Sequence, residues 1–474
     1  MNFESILVIS GITILLVWIT PARWHKWVIL VSSVLALFWL QPSTPIRNLD
    51  FWFPLASISI VVLVWAMTRV PNEDGSRANL ITTGVIIGII LLISVTRYAG
   101  PLCCITPTRP PQMRYVLIAI VGIGFLLLFV FRYFSGNRYA LAVALLMLIL
   151  IFIILKADPF AKFASEAIRT LTKQDTNLAS PFDLRWLGFS YLAFRLIHTL
   201  RDRQHGKLPS LTLKEYISYT LFYPSITAGP IDRVQRFVKD YRQPIGSRKS
   251  NTLQGGQRVL LGMFKKFVIA DGLALIALSP QNASQSISTP WLWVLLYAYA
   301  LRIYFDFAGY TDIAIGLGNF HGIALPENFA RPYLKPNITS FWNSWHITLA
   351  QWFRAYFFNP LTRSMHKSKM NYPSWLTILI GQLSTMLLIG LWHGISWNFA
   401  VWGLWHGIGL FAHNRWVSWT RQRISPLDQK PMISTGLKIG GWFITFNYIA
   451  LGWVWFALPS PEMAASVFRQ LFSS

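Results

Sequence analysis

The chain has 474 residues, of which 54% are hydrophobic and only 13% charged, with a mean hydropathy of +0.44. Soluble domains carry about 25% charge, so a soluble globular protein is excluded, and the apolar stretches that recur along the whole chain point to a polytopic membrane protein. The net charge of +24 does not indicate nucleic acid, because no basic domain stands outside the apolar runs; Lys and Arg fit cytoplasmic loops and helix ends beside anionic lipid.

In chain order, the first apolar stretch, Ile6 to Ile19, follows Met-Asn-Phe-Glu and lacks a basic n-region. It is read as a first transmembrane helix, not a signal peptide. Spans are predicted at 4–20, 27–40, 51–68, 79–96, 114–134 and 139–156. The only cysteines, Cys103 and Cys104, are adjacent and cannot cross-link distant elements, so the fold must hold by packing. Up to residue 160 the runs are plain Leu, Ile and Val, the composition of scaffold helices. Beyond it they are rich in Trp, Tyr, Phe, Gly and His, as for helices around a polar interior. The reading is therefore residues 1–160 as N-terminal scaffold and 161–474 as catalytic core.

Further spans are predicted at 184–199, 213–227, 256–278, 290–318, 374–391, 396–413 and 434–457. Those at 184–199 and 213–227 carry polar residues or Pro and are expected to be re-entrant or tilted. The whole reads as an all-α polytopic membrane protein of about 10 to 13 helices. Basic loops around Arg201–Lys214, Arg233–Lys266 and Arg363–Lys369, with Arg415, Arg421, Arg423 and Lys430, are placed on the cytoplasmic side by the positive-inside rule.

Four histidines, His346, His393, His406 and His413, lie in or beside apolar, aromatic-rich sequence. Ionisable groups at membrane depth are functional candidates by default, and imidazole moves protons near neutral pH. Trp392-His393-Gly394 stands where an apolar helix ends, and Gly394 allows close approach by another group. His393 reads as a general base that takes a proton from an acceptor hydroxyl, or as a structural histidine bonded to a backbone carbonyl. His346 lies 47 residues earlier, after Ser340, Asn343 and Ser344, residues that favour a helix N-terminus. It reads as a group that binds substrate or assists His393, or as an interfacial histidine. His406 and His413, seven apart, share a helix face; a packing contact between helices competes with haem or metal ligation, for which no carboxylate or cysteine is near.

Asp306 and Asp312 sit in an apolar run with Tyr310, and Arg302 lies one turn before Asp306. An Arg302–Asp306 pair is expected, with lining of a substrate path as the alternative. Gly229-Pro230 breaks an apolar region and reads as a cavity wall or an interfacial turn. No phosphate-binding glycine loop, nucleophile elbow or zinc motif is present.

Four separated motifs in order, FYPSITAGPIDR (222–233), YFDFAGYTDIAIGLGNFHGIALPENFARPYL (304–334), FWNSWHITLAQWFRAYFFNPL (341–361) and LWHGISWNFAVWGLWHG (391–407), resemble the membrane-bound O-acyltransferase family. The likeness covers roughly residues 180–460 and is similar to the bacterial branch that decorates envelope polymers. AGPIDR followed by Val-Gln-Arg-Phe leans toward the D-alanyl transfer type, as does the short tail of 81 residues after His393, and YTDIAIGLGNFHGIALPENF toward the alginate O-acetylation type.

The resemblance implies a ring of tilted helices around a thin centre with a tunnel. It implies His393 as the catalytic histidine and His346 as a second functional one. Asn343, Trp392, Asn398, Asp306, Tyr310 and Asp312, with Gly229 and Pro230, are expected to line the substrate tunnel. No bound cofactor or metal is expected. The donor would be a cytoplasmic acyl thioester, on an acyl carrier protein or coenzyme A, drawn to the basic surfaces. The acceptor would be a hydroxyl of an envelope polymer or of a periplasmic or extracellular acyltransferase partner. The rival reading is a transporter with a His/Asp proton relay; it lacks the inverted repeat of broken helices. A histidine-ligated haem or quinone electron carrier is a third class.

Overall fold

A computed structural model of the chain describes residues 3–69, 76–100, 103–244, 246, 248–286, 288–420 and 431–473. Among the described residues there are helices and no strands. In the N-terminal part these are α1 (Phe3–Ile19), α2 (His25–Trp39), α3 (Leu49–Thr68), α4 (Ser76–Val95), α5 (Met113–Phe134), α6 (Arg138–Lys156), α7 (Asp158–Leu171), α8 (Phe189–Gln204), α9 (Leu213–Thr220), α10 (Tyr223–Ile226), α11 (Val234–Arg242) and α12 (Arg248–Met263). There follow α13 (Asp271–Ala274), α14 (Pro280–Gln285), α15 (Thr289–Phe320), α16 (Ile338–Trp342), α17 (Ile347–Phe353), α18 (Asn359–His366), α19 (Ser374–His393), α20 (Trp397–Thr420), α21 (Pro431–Ala457) and α22 (Pro461–Phe472). Seven described helices, α3 to α6, α15, α19 and α21, are long and apolar enough to cross a bilayer, so the chain is an all-α multi-pass membrane protein. Arg421, Arg423 and Lys430 of the third basic set lie outside the described residues.

Where the runs are long and unbroken, the helices match the predicted spans. The two candidates expected to be tilted or re-entrant are α8, of 16 residues, and the short pair α9 and α10, with bounds set locally. Gly188, at φ 65, sets the start of α8 late, at Phe189. Thr212 and Glu215 form a capping box that starts α9, and Pro224 at the first turn of α10 separates it from α9. The span predicted at 256–278 is α12 running into a π-helical segment, Phe264–Ala270, and then α13. Cys103 and Cys104 meet each other and join no separate elements.

The chain divides into two compact units, Met1–Val259 with Ile313–Leu325, and Leu260–Asp312 with Pro326–Ser474. In the first, α8 to α11 build a core around Leu196, Tyr216, Ile217 and Phe237. Arg195 is only 1% exposed there. It donates to the carbonyls of Thr220 (2.8 Å) and Ser225 (2.9 Å) and to Ser225 Oγ (2.6 Å). Helix α7 turns a polar face inward: Ser165 and Arg169 both bond Asp183, at 2.7 and 2.9 Å, while Phe160 and Phe163 are exposed. Exposed aromatic side chains on such a helix suit a lipid boundary. In the second unit, Leu292, Leu296, Ala450, Val454 and Val467 form an apolar core. Helices α19 and α20 pack as a hairpin: Gly390 abuts the carbonyl of Phe399, and Gly403 that of Met386, too closely for a Cβ at either.

Candidate active site

The second unit holds both candidate catalytic histidines. His393 is the last residue of α19, so a full 20-residue apolar helix fixes its backbone. Gly394 then leaves the helix in extended conformation, φ 179. The glycine is required by close approach, not by handedness: a Cβ there would fall 2.7 Å from Phe399 Cε2. The half-buried imidazole lies among aromatic rings, with centroids at 4.5 Å (Trp392), 4.8 Å (Phe456), 5.5 Å (Trp402) and 5.9 Å (Phe399). Rings on several sides restrict its rotation and narrow the approach to it.

His346 is 3% exposed and occupies the left-handed backbone region, φ 42 and ψ 52, immediately before α17. That conformation is unfavourable for a residue with a Cβ and marks a position held by its surroundings. The helix start expected after Ser340, Asn343 and Ser344 is there, with His346 at the N-cap of α17, and a further short helix, α16, precedes it. Asn337 caps α16 by accepting from the Ser340 N–H at 2.8 Å, and Asn343 ends that helix. The ring of His346 packs edge-on against Phe307 at 4.7 Å and lies 6.1 Å from Trp392. Trp392 therefore neighbours both imidazoles, and the two histidines, 47 residues apart in sequence, share one aromatic cluster. The pair consists of a restrained ring at a helix end and a second, buried ring beside the same indole, and imidazole is a side chain that can give or take a proton.

The other expected tunnel residues fall into distinct settings. Asn343 Oδ1 accepts from Arg354 Nη2 at 2.7 Å, and both line a cavity of about 200 Å³ with Trp342, Gln382 and Met386. Arg354 opens a second π-helical segment, Arg354–Phe358, a widened turn of a kind frequent at functional sites. Asn398 is buried, and its Nδ2 donates to the Leu458 carbonyl at 2.6 Å, tying α20 to the end of α21. Tyr310 is buried on α15.

The Arg302–Asp306 pair is not formed. Asp306 pairs with Lys266, and Asp312 with Lys265 at 2.6 Å. Gly309 explains the change: it lets α15 approach so closely that a Cβ would sit 2.7 Å from the Gly262 carbonyl, bringing both lysines of the π-helical segment to the carboxylates. Gly229 and Pro230 belong to the first unit, where Gly229 lies against the backbone of Ser225. His406 is wholly buried against Trp402 (4.8 Å) and Trp342 (5.3 Å), whereas His413 Nδ1 meets Thr339 Oγ1 at 2.9 Å. The two therefore make separate contacts.

Sequence reasoning passed over Asn328 and His321. Asn328, within the quoted ALPENFARPYL stretch, is 0% exposed and bonds His346. A polar amide between Pro326 and Phe329 was the available signal. In the first unit, His321 Nε2 meets Tyr223 Oη at 2.9 Å, and that hydroxyl meets Thr13 Oγ1 at 2.6 Å.

A sequence model of the membrane-bound O-acyltransferase family matches residues 141–452. The chain is 33% identical over 287 residues to a teichoic acid D-alanyltransferase of Streptococcus thermophilus, covering 58% of this chain and 68% of the relative. It is 31% identical over 379 residues to a probable alginate O-acetylase AlgI of Pseudomonas aeruginosa, covering 76% and 68%. A peptidoglycan O-acetyltransferase of Helicobacter pylori is 36% identical over 265 residues, covering 54% and 47%.

Proposed function

The chain belongs to the membrane-bound O-acyltransferase family, and from that premise we propose that it moves an acetyl, D-alanyl or similar acyl group from a cytoplasmic thioester to a hydroxyl of an envelope polymer. That it is a membrane O-acyltransferase follows from the family; the donor, the acceptor and the roles of the residues are our reading. Teichoic acid, alginate and peptidoglycan, the polymers in the relatives' names, all lie outside the cytoplasmic membrane, which supports an extracytoplasmic glycan or a partner that passes the group on. The basic loops favour an acidic acyl carrier protein, or the phosphates of coenzyme A, as donor.

In this reading His393 is the general base. As the acceptor oxygen attacks the thioester carbonyl, a ring nitrogen of His393 takes the hydroxyl proton. The C–O bond forms, the C–S bond breaks, and the proton passes to the departing thiolate, leaving neutral imidazole for the next cycle. His346 positions or assists from beside Trp392. In the second unit Asn343, Trp392, Asn398, Asp306, Tyr310 and Asp312 remain our proposed path-lining residues, and in the first Gly229 and Pro230 remain a proposed cavity wall. The observation that carries the reading is the imidazole of His393 held among aromatic rings at the end of α19, with His346 beside the same Trp392. The test is His393→Ala in proteoliposomes supplied with a radiolabelled acyl thioester and acceptor. Loss of transfer in a protein that melts normally supports the role, and retained transfer rejects it.

A further inference from the structure

Asn328 organises His346 from 18 residues away. Its side-chain oxygen receives the Thr348 N–H at 3.1 Å and the Thr348 hydroxyl at 2.8 Å, and lies 3.3 Å from His346 Nδ1. The Thr348 N–H can only donate, so the amide must present oxygen and not nitrogen to this cluster. An amide oxygen carries no proton, so the hydrogen between it and His346 must reside on Nδ1. Nε2 then holds the lone pair. It is buried and has no partner among the described residues, with Phe307 and Trp392 as its ring neighbours.

The backbone is braced by the same segment. Ile347 N–H donates to the Asn328 carbonyl at 3.0 Å, and Ala330 N–H to the Ser344 carbonyl, also at 3.0 Å. These bonds straddle His346 and hold it in the left-handed conformation noted above.

We propose that Asn328 is a positioning residue that fixes His346 as the Nδ1–H tautomer and so offers Nε2 as a proton acceptor at the site. The inference rests on His346 having the role assigned under Proposed function. A bound hydroxyl or thiol that donates to Nε2 is the chemistry this arrangement receives; a ligand offering only acceptors is refused.

The experiment uses full-length protein in proteoliposomes, with acyl transfer and histidine ¹⁵N magnetic resonance read together. The His346 resonance is assigned by its disappearance in His346→Gln. Asn328→Ala should lower kcat roughly 10- to 100-fold with KM changed less than about threefold, and should shift the His346 signal away from the pure Nδ1–H form. Asn328→Asp keeps an acceptor oxygen, and should keep that tautomer and recover most of kcat. An unaltered tautomer in Asn328→Ala overturns the proposal, as does an Asn328→Asp protein in which the proton sits on Nε2. If Asn328→Ala does not fold, the Asn328→Asp spectrum alone decides. Full turnover in His346→Gln would sink the functional role of His346 under Proposed function, whereas the tautomer comparison tests Asn328 independently of turnover.

Discussion

Arg195 in the first unit and His346 in the second are both deeply buried polar side chains, but they are treated in opposite ways. Arg195 spends its guanidinium on two carbonyls and a hydroxyl, and Arg169 in the same unit closes on Asp183, which Ser165 also bonds. Such saturation is what a buried charge needs for stability alone. His346 has one nitrogen tied to Asn328 and the other left bare among aromatic rings. A bare buried nitrogen costs stability, about 1–3 kcal/mol by general experience. Under the proposed function, the contrast is between side chains that hold the protein together and one whose free nitrogen is open to a reacting group.

The sharpest way to break that contrast is to exchange its consequences. His393→Ala should reduce acyl transfer by roughly 10²- to 10⁴-fold, the range typical for loss of a general base, with little change in melting temperature in detergent. Transfer assays and thermal unfolding on one preparation check both halves. Asp183→Ala in the first unit should do the reverse. It strands the buried Arg169 and should destabilise by about 3 kcal/mol or more, while the fraction that stays folded turns over normally. If Asp183→Ala abolished turnover in folded protein, the division between holding and reacting residues would fail.

An intermediate case sharpens it. Gly403 lies on α20 against the Met386 carbonyl, next to Trp402, whose ring is 5.5 Å from that of His393. Gly403→Ala must push α20 from α19, and should cost about 1–3 kcal/mol. Because Trp402 moves with it, kcat should fall as well, by an amount smaller than in His393→Ala. Paired melting and rate measurements would show both effects together, unlike either variant above.

How far the sequence could be read follows the same division. The helices α3, α5, α6 and α19 were legible because each is an uninterrupted apolar run of bilayer length. His393 at a helix end was legible because Trp-His-Gly follows such a run directly. Helix α7 was not, since its inward face is polar and its aromatic residues point out. The π-helical segments were hidden, because a widened turn does not announce itself in hydropathy. The pairing of Asp306 was misjudged because the local partner, Arg302, is visible in sequence, whereas Lys266 is brought near only by the close approach at Gly309. The hold of Asn328 on His346 was illegible for the same reason: it joins two loops through space.

The smallest expected effect comes from acid acting on the Asp183–Arg169 pair. Burial alone would raise the Asp183 pKa, but the bonds from Ser165, Arg169 and the Ser180 N–H outweigh it and hold the carboxyl below its ordinary 3.8. A carboxyl whose pKa is depressed on folding contributes stability above its unfolded value, and that contribution disappears as pH falls through the folded value. The first unit should therefore show no pH dependence from this pair at neutral pH. Below about pH 3.8 its melting temperature should begin to fall, and that acid limb should be absent in Asp183→Asn. A limb of equal size in Asp183→Asn would assign the acid sensitivity to other carboxylates and remove Asp183 as its source. The variant also keeps an oxygen for Ser165 and Arg169, so its loss at neutral pH should be smaller than that of Asp183→Ala, which isolates the charge from the hydrogen bonds.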